Sequence, residues 1–133
     1  MAQTPGYSGK PLYQKLGLKP GMRCLALNAP LPYADLVAGA EDVTFLAEPG
    51  PAEVVHLFCA DAATLAADLD GAMAQIAPKG MLWVSWPKKS SPLFKDLTED
   101  GLRRAILPTG WVDVKVCAVT ADWSGLKFLR RKA

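Results

Sequence analysis

Three largely apolar runs, Met22–Leu27, Val54–Cys59 and Met81–Trp86, do not alternate apolar with polar residues. A strand wetted on one face alternates, whereas a run without alternation suits a strand covered on both faces, as in a mainly parallel sheet with helices on each side. Between the second and third runs Asp61 stands as an N-cap, and Leu65, Leu69, Met73 and Ile76 follow at offsets of four, four and three, the spacing of an amphipathic helix. Strand, helix and strand in that order call for a right-handed parallel crossover.

Proline and glycine punctuate the rest. Pro20 and Gly21 precede the first run and Pro30 to Pro32 follow it; Tyr33 to Ala38 read as a short helix, and Val43 to Ala47 as a strand closed by Pro49, Gly50 and Pro51. Pro78 and Gly80 end the amphipathic helix and Pro87 stops the third run. After a polar loop, Lys88 to Lys95, a helix is expected from about Leu97 to Leu107, entered through a capping box of Asp96 and Glu99, with Leu102, Ala105 and Ile106 toward the sheet. Val112, Val114, Val116 and Ala118 alternate with Asp113, Lys115 and Cys117 as in a half-buried strand. A turn at Ala121 and Asp122 leads into Trp123–Leu129, closing the chain with an antiparallel hairpin at the sheet edge. The expected fold is a single three-layer, Rossmann-like α/β domain over residues 1–133, in which 1–21 form an N-terminal flap with one helical turn through Leu12, Lys15 and Leu16.

With 133 residues, 50% of them apolar and 21% charged, one ordinary core is expected. A net charge of +2 gives no reason to expect a nucleic-acid partner, and Lys127, Arg130, Arg131 and Lys132 read as a solvated, fraying tail. The N-terminus lacks an apolar signal region and no run is long enough to span a bilayer, so a cytoplasmic protein with no membrane partner is expected. Cys24, Cys59 and Cys117 are odd in number and form no Cys-x-x-Cys pair, which points to reduced thiols. With His56 the sole histidine and no carboxylates at ligand spacing, no metal is expected.

Open α/β sheets bind ligands at the carboxyl ends of their strands, here Asn28 to Pro32, Cys59 to Asp61 and Trp86 to Ser91. Lys88 and Lys89 follow a rigid proline and, with Ser90 and Ser91, can hold a phosphate or carboxylate, while Trp86 supplies a flat wall; solvated loop lysines are the plainer alternative. Cys59 needs a base to act as a nucleophile, and His56, three residues earlier in a strand, points to the opposite face, so a structural thiol is expected. Helix-start capping accounts for Asp96, Glu99 and Asp100. Glu48, near the end of the second strand, can bind ribose hydroxyls or simply face water.

The order helix, Pro-Lys-Gly turn, strand, helix, Pro-Thr-Gly turn and hairpin resembles the C-terminal half of class I methyltransferases. Tyr7-Ser8-Gly9-Lys10-Pro11-Leu12, Lys15-Leu16-Gly17, Trp86-Pro87-Lys88-Lys89-Ser90, Asp96-Leu97-Thr98-Glu99, Val112 to Cys117 and Trp123-Ser124-Gly125-Leu126 resemble the signatures of a small bacterial family of unknown function. The methyltransferase resemblance implies a glycine-rich cofactor loop after the first strand, where this chain has Asn28-Ala29-Pro30-Leu31-Pro32. On that departure the expectation is a non-catalytic domain, with no cofactor, that recognises a small anion or a protein partner through Trp86 to Ser91 and the flap. The alternative is an atypical S-adenosylmethionine-dependent methyltransferase, or another small-molecule enzyme, with Asn28, Glu48 and Asp61 facing the ligand.

Overall fold

The apolar runs become β1 (Arg23–Leu27), β3 (Ala52–Phe58) and β4 (Ile76–Pro87), side by side and parallel, in a computed structural model that describes residues 10–131. Leu25, Val55 and Leu82 share one level of the ladder. The lack of alternation has the expected cause. In β3, Val55 and Leu57 enter one core while Val54 and Phe58 enter the other, and all are buried. β2 (Thr44–Phe45) pairs in parallel outside β1, β6 (Trp123–Arg130) runs antiparallel beside β4, and β5 (Trp111–Ala118) closes the far edge. The sheet has six strands in the order β2-β1-β3-β4-β6-β5.

Helices cover both faces in a three-layer, Rossmann-like arrangement. α3 (Ala62–Ala74) and α4 (Glu99–Ile106) bury Leu65, Leu69, Leu102 and Ile106 in one core. α1 (Leu12–Leu16) buries Leu12 and Leu16 in the other, where α2 (Tyr33–Leu36) packs Tyr33 and Leu36 against it. Asp61 caps α3, accepting from the Thr64 amide at 2.9 Å and its hydroxyl at 2.7 Å. Trp83 Nε1 donates to the Leu16 carbonyl at 2.9 Å, fastening α1 to β4.

Several expectations need correction. Ile76 is not the last turn of α3: the chain leaves the helix at Gln75 and Ile76 already pairs with Ala52. The second strand is shorter than Val43 to Ala47, because its ladder stops at the pairing of Cys24 with Phe45. Thr98, not Asp96, caps α4, accepting from the Gly101 amide at 3.1 Å, while Asp96 accepts from the Ala62 amide at the start of α3. Ala105 is exposed.

β5 alternates in sequence but leaves Val114 and Val116 48% and 52% exposed. A bulge between Asp113 and Lys115 shifts its register against β6. The basic segment is no frayed tail either. Lys127 and Arg130 lie in β6, Arg130 sits 4.5 Å over the Trp111 ring, and the Arg131 amide donates to the Gly110 carbonyl. Lys132 and residues 1–9, including Tyr7-Ser8-Gly9, lie outside the described residues; from Pro11 the expected flap is α1 and its flanks, fixed in the core. Among the described residues no helix is long and apolar enough to cross a membrane.

Gly80, where the chain turns into the continuous part of β4, has no room for a side chain: a Cβ there would stand 2.7 Å from Ile76 Cγ2, 2.8 Å from the Ala77 oxygen and 2.9 Å from the Glu53 oxygen. Gly80→Ala is therefore expected to destabilise the protein by about 1–3 kcal/mol in urea unfolding. Gly71→Ala, in α3 with nothing within 4 Å, should stabilise it by up to about 1 kcal/mol. Equal effects at the two positions would contradict the close packing at the entry to β4.

Candidate functional site

β1 leaves the sheet at Asn28, whose φ of 61° is left-handed. Asparagine tolerates that region better than other residues bearing a Cβ, so the sharp turn after the first strand forms without glycine. Its side-chain amide donates to the Phe58 carbonyl at 3.3 Å and to Asp68 Oδ2 at 2.9 Å, tying the ends of β1 and β3 to α3. Beside it lies a cavity of about 300 Å³ lined by Leu25, Leu27, Asn28, Pro49, Asp68 and Gly71 among others. This cavity exists because residues 46–51 return from β2 to β3 without a helix, leaving the α3 face of β1 partly uncovered. Glu48 is exposed on that return, next to Pro49.

The carboxyl end of β3 is acidic. Cys59 lies near both Asp68 and Asp61, and burial first, then those carboxylates, push its thiol up to about 12. Such a thiol stays protonated and is no nucleophile at neutral pH. Asp61 is occupied by Thr64, whose hydrogen bonds hold its carboxyl below the usual range, with Lys95 at 3.9 Å.

A second cavity, about 450 Å³, opens beneath the loop after β4 and is lined by Trp86, Lys88, Lys89, Phe94, Thr98, Glu99, Asp100 and Ser124. The loop is pinned by the Lys88 amide donating to the Asp122 carbonyl and by Ser91 Oγ donating to Asp122 Oδ1, both at 2.8 Å. Trp86, Lys88 and Lys89 are thus brought together, but Ser90 is exposed and does not line the space. Nor are the lysines alone, because Glu99 and Asp100 form the opposite wall. Arg103, 2.6 Å from Glu99, 3.6 Å from Asp100 and 2.9 Å from Asp113, holds that wall in place. The cavity carries charges of both signs. Asn28 and Asp61 lie apart from it, at the ends of β1 and β3.

A buried polar chain went unread in the sequence. His56, fully buried in mid-sheet, hydrogen-bonds through Nδ1 with the Tyr33 hydroxyl at 2.7 Å and through Nε2 with Ser85 Oγ at 2.6 Å, its ring stacked 4.2 Å from Phe58. Each hydroxyl can donate or accept, so a neutral ring is satisfied in either tautomer. Burial lowers the His56 pKa from 6.5 to about 3. His56 and Cys59 do point to opposite faces. The only sequence signal for the chain was the pair of polar residues, His56 and Ser85, inside otherwise apolar runs.

Comparison with known proteins gives a fold likeness and no family. No protein-family model matches the sequence, and no curated protein matches it significantly. Solved structures do match. The N-methyltransferase NodS from Bradyrhizobium japonicum is similar over 91% of this chain and 93% of its own, at 11% identity and a TM-score of 0.56. A SAM-dependent methyltransferase from Aquifex aeolicus is similar over 90% and 87%, at 14% identity and 0.59. The glycopeptide N-methyltransferase MtfA covers the same shares, at 12% identity and 0.60. This overturns the expected order of the two readings. A non-catalytic binding domain was favoured because the first loop lacks glycines, but Asn28 makes the left-handed turn and the structural neighbours are methyltransferases.

The buried histidine has a consequence for pH. Between pH 6.5 and 3 the unfolded chain takes up a proton at His56 that the folded chain refuses, so stability is full above pH 6.5 and falls as the medium is acidified. The slope should approach about 1.4 kcal/mol per pH unit. Glu53, held at about 2 by its bidentate pair with Arg23, adds a further loss only below its ordinary value of 4.5. Urea unfolding of the wild type at pH 7.5, 6 and 5 should show the decline, and His56→Phe should be less stable at pH 7.5 yet flatter across the range. A parallel decline in both proteins would assign the titration to another group.

Proposed function

We propose that this chain is an S-adenosylmethionine-dependent methyltransferase, holding the cofactor at the ends of β1 and β3, with a remote part of its acceptor beneath the loop after β4. The observation that carries the reading is the left-handed turn at Asn28 beside a cavity, at the carboxyl edge of a sheet whose structural neighbours are methyltransferases. The residues there fit the group. Asp68 and Glu48 offer carboxylate acceptors for its ammonium and ribose hydroxyls, Asn28 offers an amide, and Leu25 and Leu27 give an apolar floor. The bound cofactor supplies an electrophilic methyl group on a sulfonium cation. The acidic surroundings of Cys59, formed by Asp61 and Asp68, favour a cation at that edge.

That remote part of the acceptor can lie between the flat walls of Trp86 and Phe94, where Lys88 and Lys89 attract an anionic substituent. Calorimetry with S-adenosylhomocysteine is expected to show saturable binding with a dissociation constant below ~100 μM, about 5 kcal/mol or more of binding. Asp68→Ala should weaken it at least about tenfold without lowering the melting temperature by more than a few degrees. Absence of saturable binding to well-folded wild type overturns the reading.

A further inference from the structure

On the face of the sheet covered by α1, Lys15, Lys115 and Lys127 come together from distant parts of the chain, with Lys19 exposed two residues past Gly17, and none has an acidic partner among the described residues. Lys15 is 5% exposed, and its Nζ makes no hydrogen bond among the described residues. Lys115 Nζ donates to the Lys15 carbonyl at 3.0 Å. Lys115 and Lys127 are direct cross-strand partners in β5 and β6, and Lys127 Nζ is 4.0 Å from the point a Cβ on Gly17 would occupy, just past the end of α1. Lys127, half-buried, has its pKa lowered by burial and by the charges of Lys115 and Lys19. Among the described residues none of the four lysines forms an ion pair.

Each element of this arrangement is unfavourable if nothing binds. Like charges directly opposite across two strands repel, and a buried ammonium with no acceptor loses its hydration without compensation. The Lys15 carbonyl answers only one of the four amino groups. A compact anion with several acceptor oxygens and more than one negative charge would satisfy the others together and balance more of their positive charge than a singly charged carboxylate.

We propose that Lys15, Lys19, Lys115 and Lys127 form a binding site for a phosphate-class oxyanion, free or carried on a small ester, separate from the crevice at the carboxyl ends of the strands. The site stands whether or not the chain transfers methyl groups, because it shares no residue with that crevice.

The test is thermal unfolding in inorganic phosphate against sodium chloride of equal ionic strength, with glycerol 3-phosphate in a parallel arm and phosphorus NMR line broadening as a second readout. The wild type should gain several degrees in phosphate beyond chloride, saturating in the millimolar range or below. Lys115→Gln and Lys127→Gln should each remove most of that gain, and Lys79→Gln, in a remote turn, should keep it. A larger gain with the ester identifies a phosphorylated small molecule as the ligand, and a gain confined to phosphate identifies the free ion. Lys15→Met should fold and lose the gain; if it does not fold, the two glutamine variants decide. Equal melting in phosphate and chloride, or a gain that survives Lys115→Gln combined with Lys127→Gln, overturns the proposal.

Discussion

β4 is paired in parallel with β3 on one side and antiparallel with β6 on the other, and its side chains feed both cores. Both rows of its backbone hydrogen-bonding groups are used, so the register of the strand is fixed from two directions. Other contacts inherit that register. Trp83 reaches the Leu16 carbonyl, which seats α1, and Ser85 reaches His56, which locks β4 to β3 through side chains as well as backbone. At its carboxyl end Trp86 and Pro87 leave the sheet beside Trp123 and Ser124, so the same pairing sets the mouth of the cavity beneath the loop after β4.

The central architecture was legible because burial on both faces leaves a mark on consecutive residues. Val54 to Cys59 and Met81 to Trp86 carry that mark, and Asp61 with Leu65 and Leu69 marks the helix between them. Legibility fails where a choice depends on residues far along the chain. Thr98 rather than Asp96 caps α4 because Asp96 is drawn to an amide on a different helix. Val114 and Val116 alternate like a half-buried strand, but the register slips between Asp113 and Lys115 and both valines stay exposed. The same limit applies to the sites: Trp86, Lys88 and Lys89 were readable as neighbours, whereas the acids facing them come from α4, and Lys15 meets Lys115 across a separation of 100 residues.

The first loop shows how a composition argument can mislead about conformation. Lack of glycine after β1 was read as lack of the backbone geometry glycine permits, yet Asn28 adopts it and uses its side chain to hold the turn against Phe58 and Asp68. A glycine there would give a looser turn, anchored by backbone alone. The side-chain bonds of Asn28 thus hold the turn from two directions, and a turn held in advance loses less freedom when anything is seated against it.

The bulge in β5 reaches beyond the single molecule. β5 is an outer strand with two exposed valines, the kind of edge on which another chain can lay a strand and continue the sheet. At the step from Asp113 to Lys115 the ladder slips, and Lys115 lies beside the break with its ammonium bonded to the Lys15 carbonyl. An incoming strand would find a regular row of donors and acceptors only up to that slip. A bulge is one of the features that shorten the regular stretch an exposed edge offers, so straightening it would leave a longer edge for another strand to pair with.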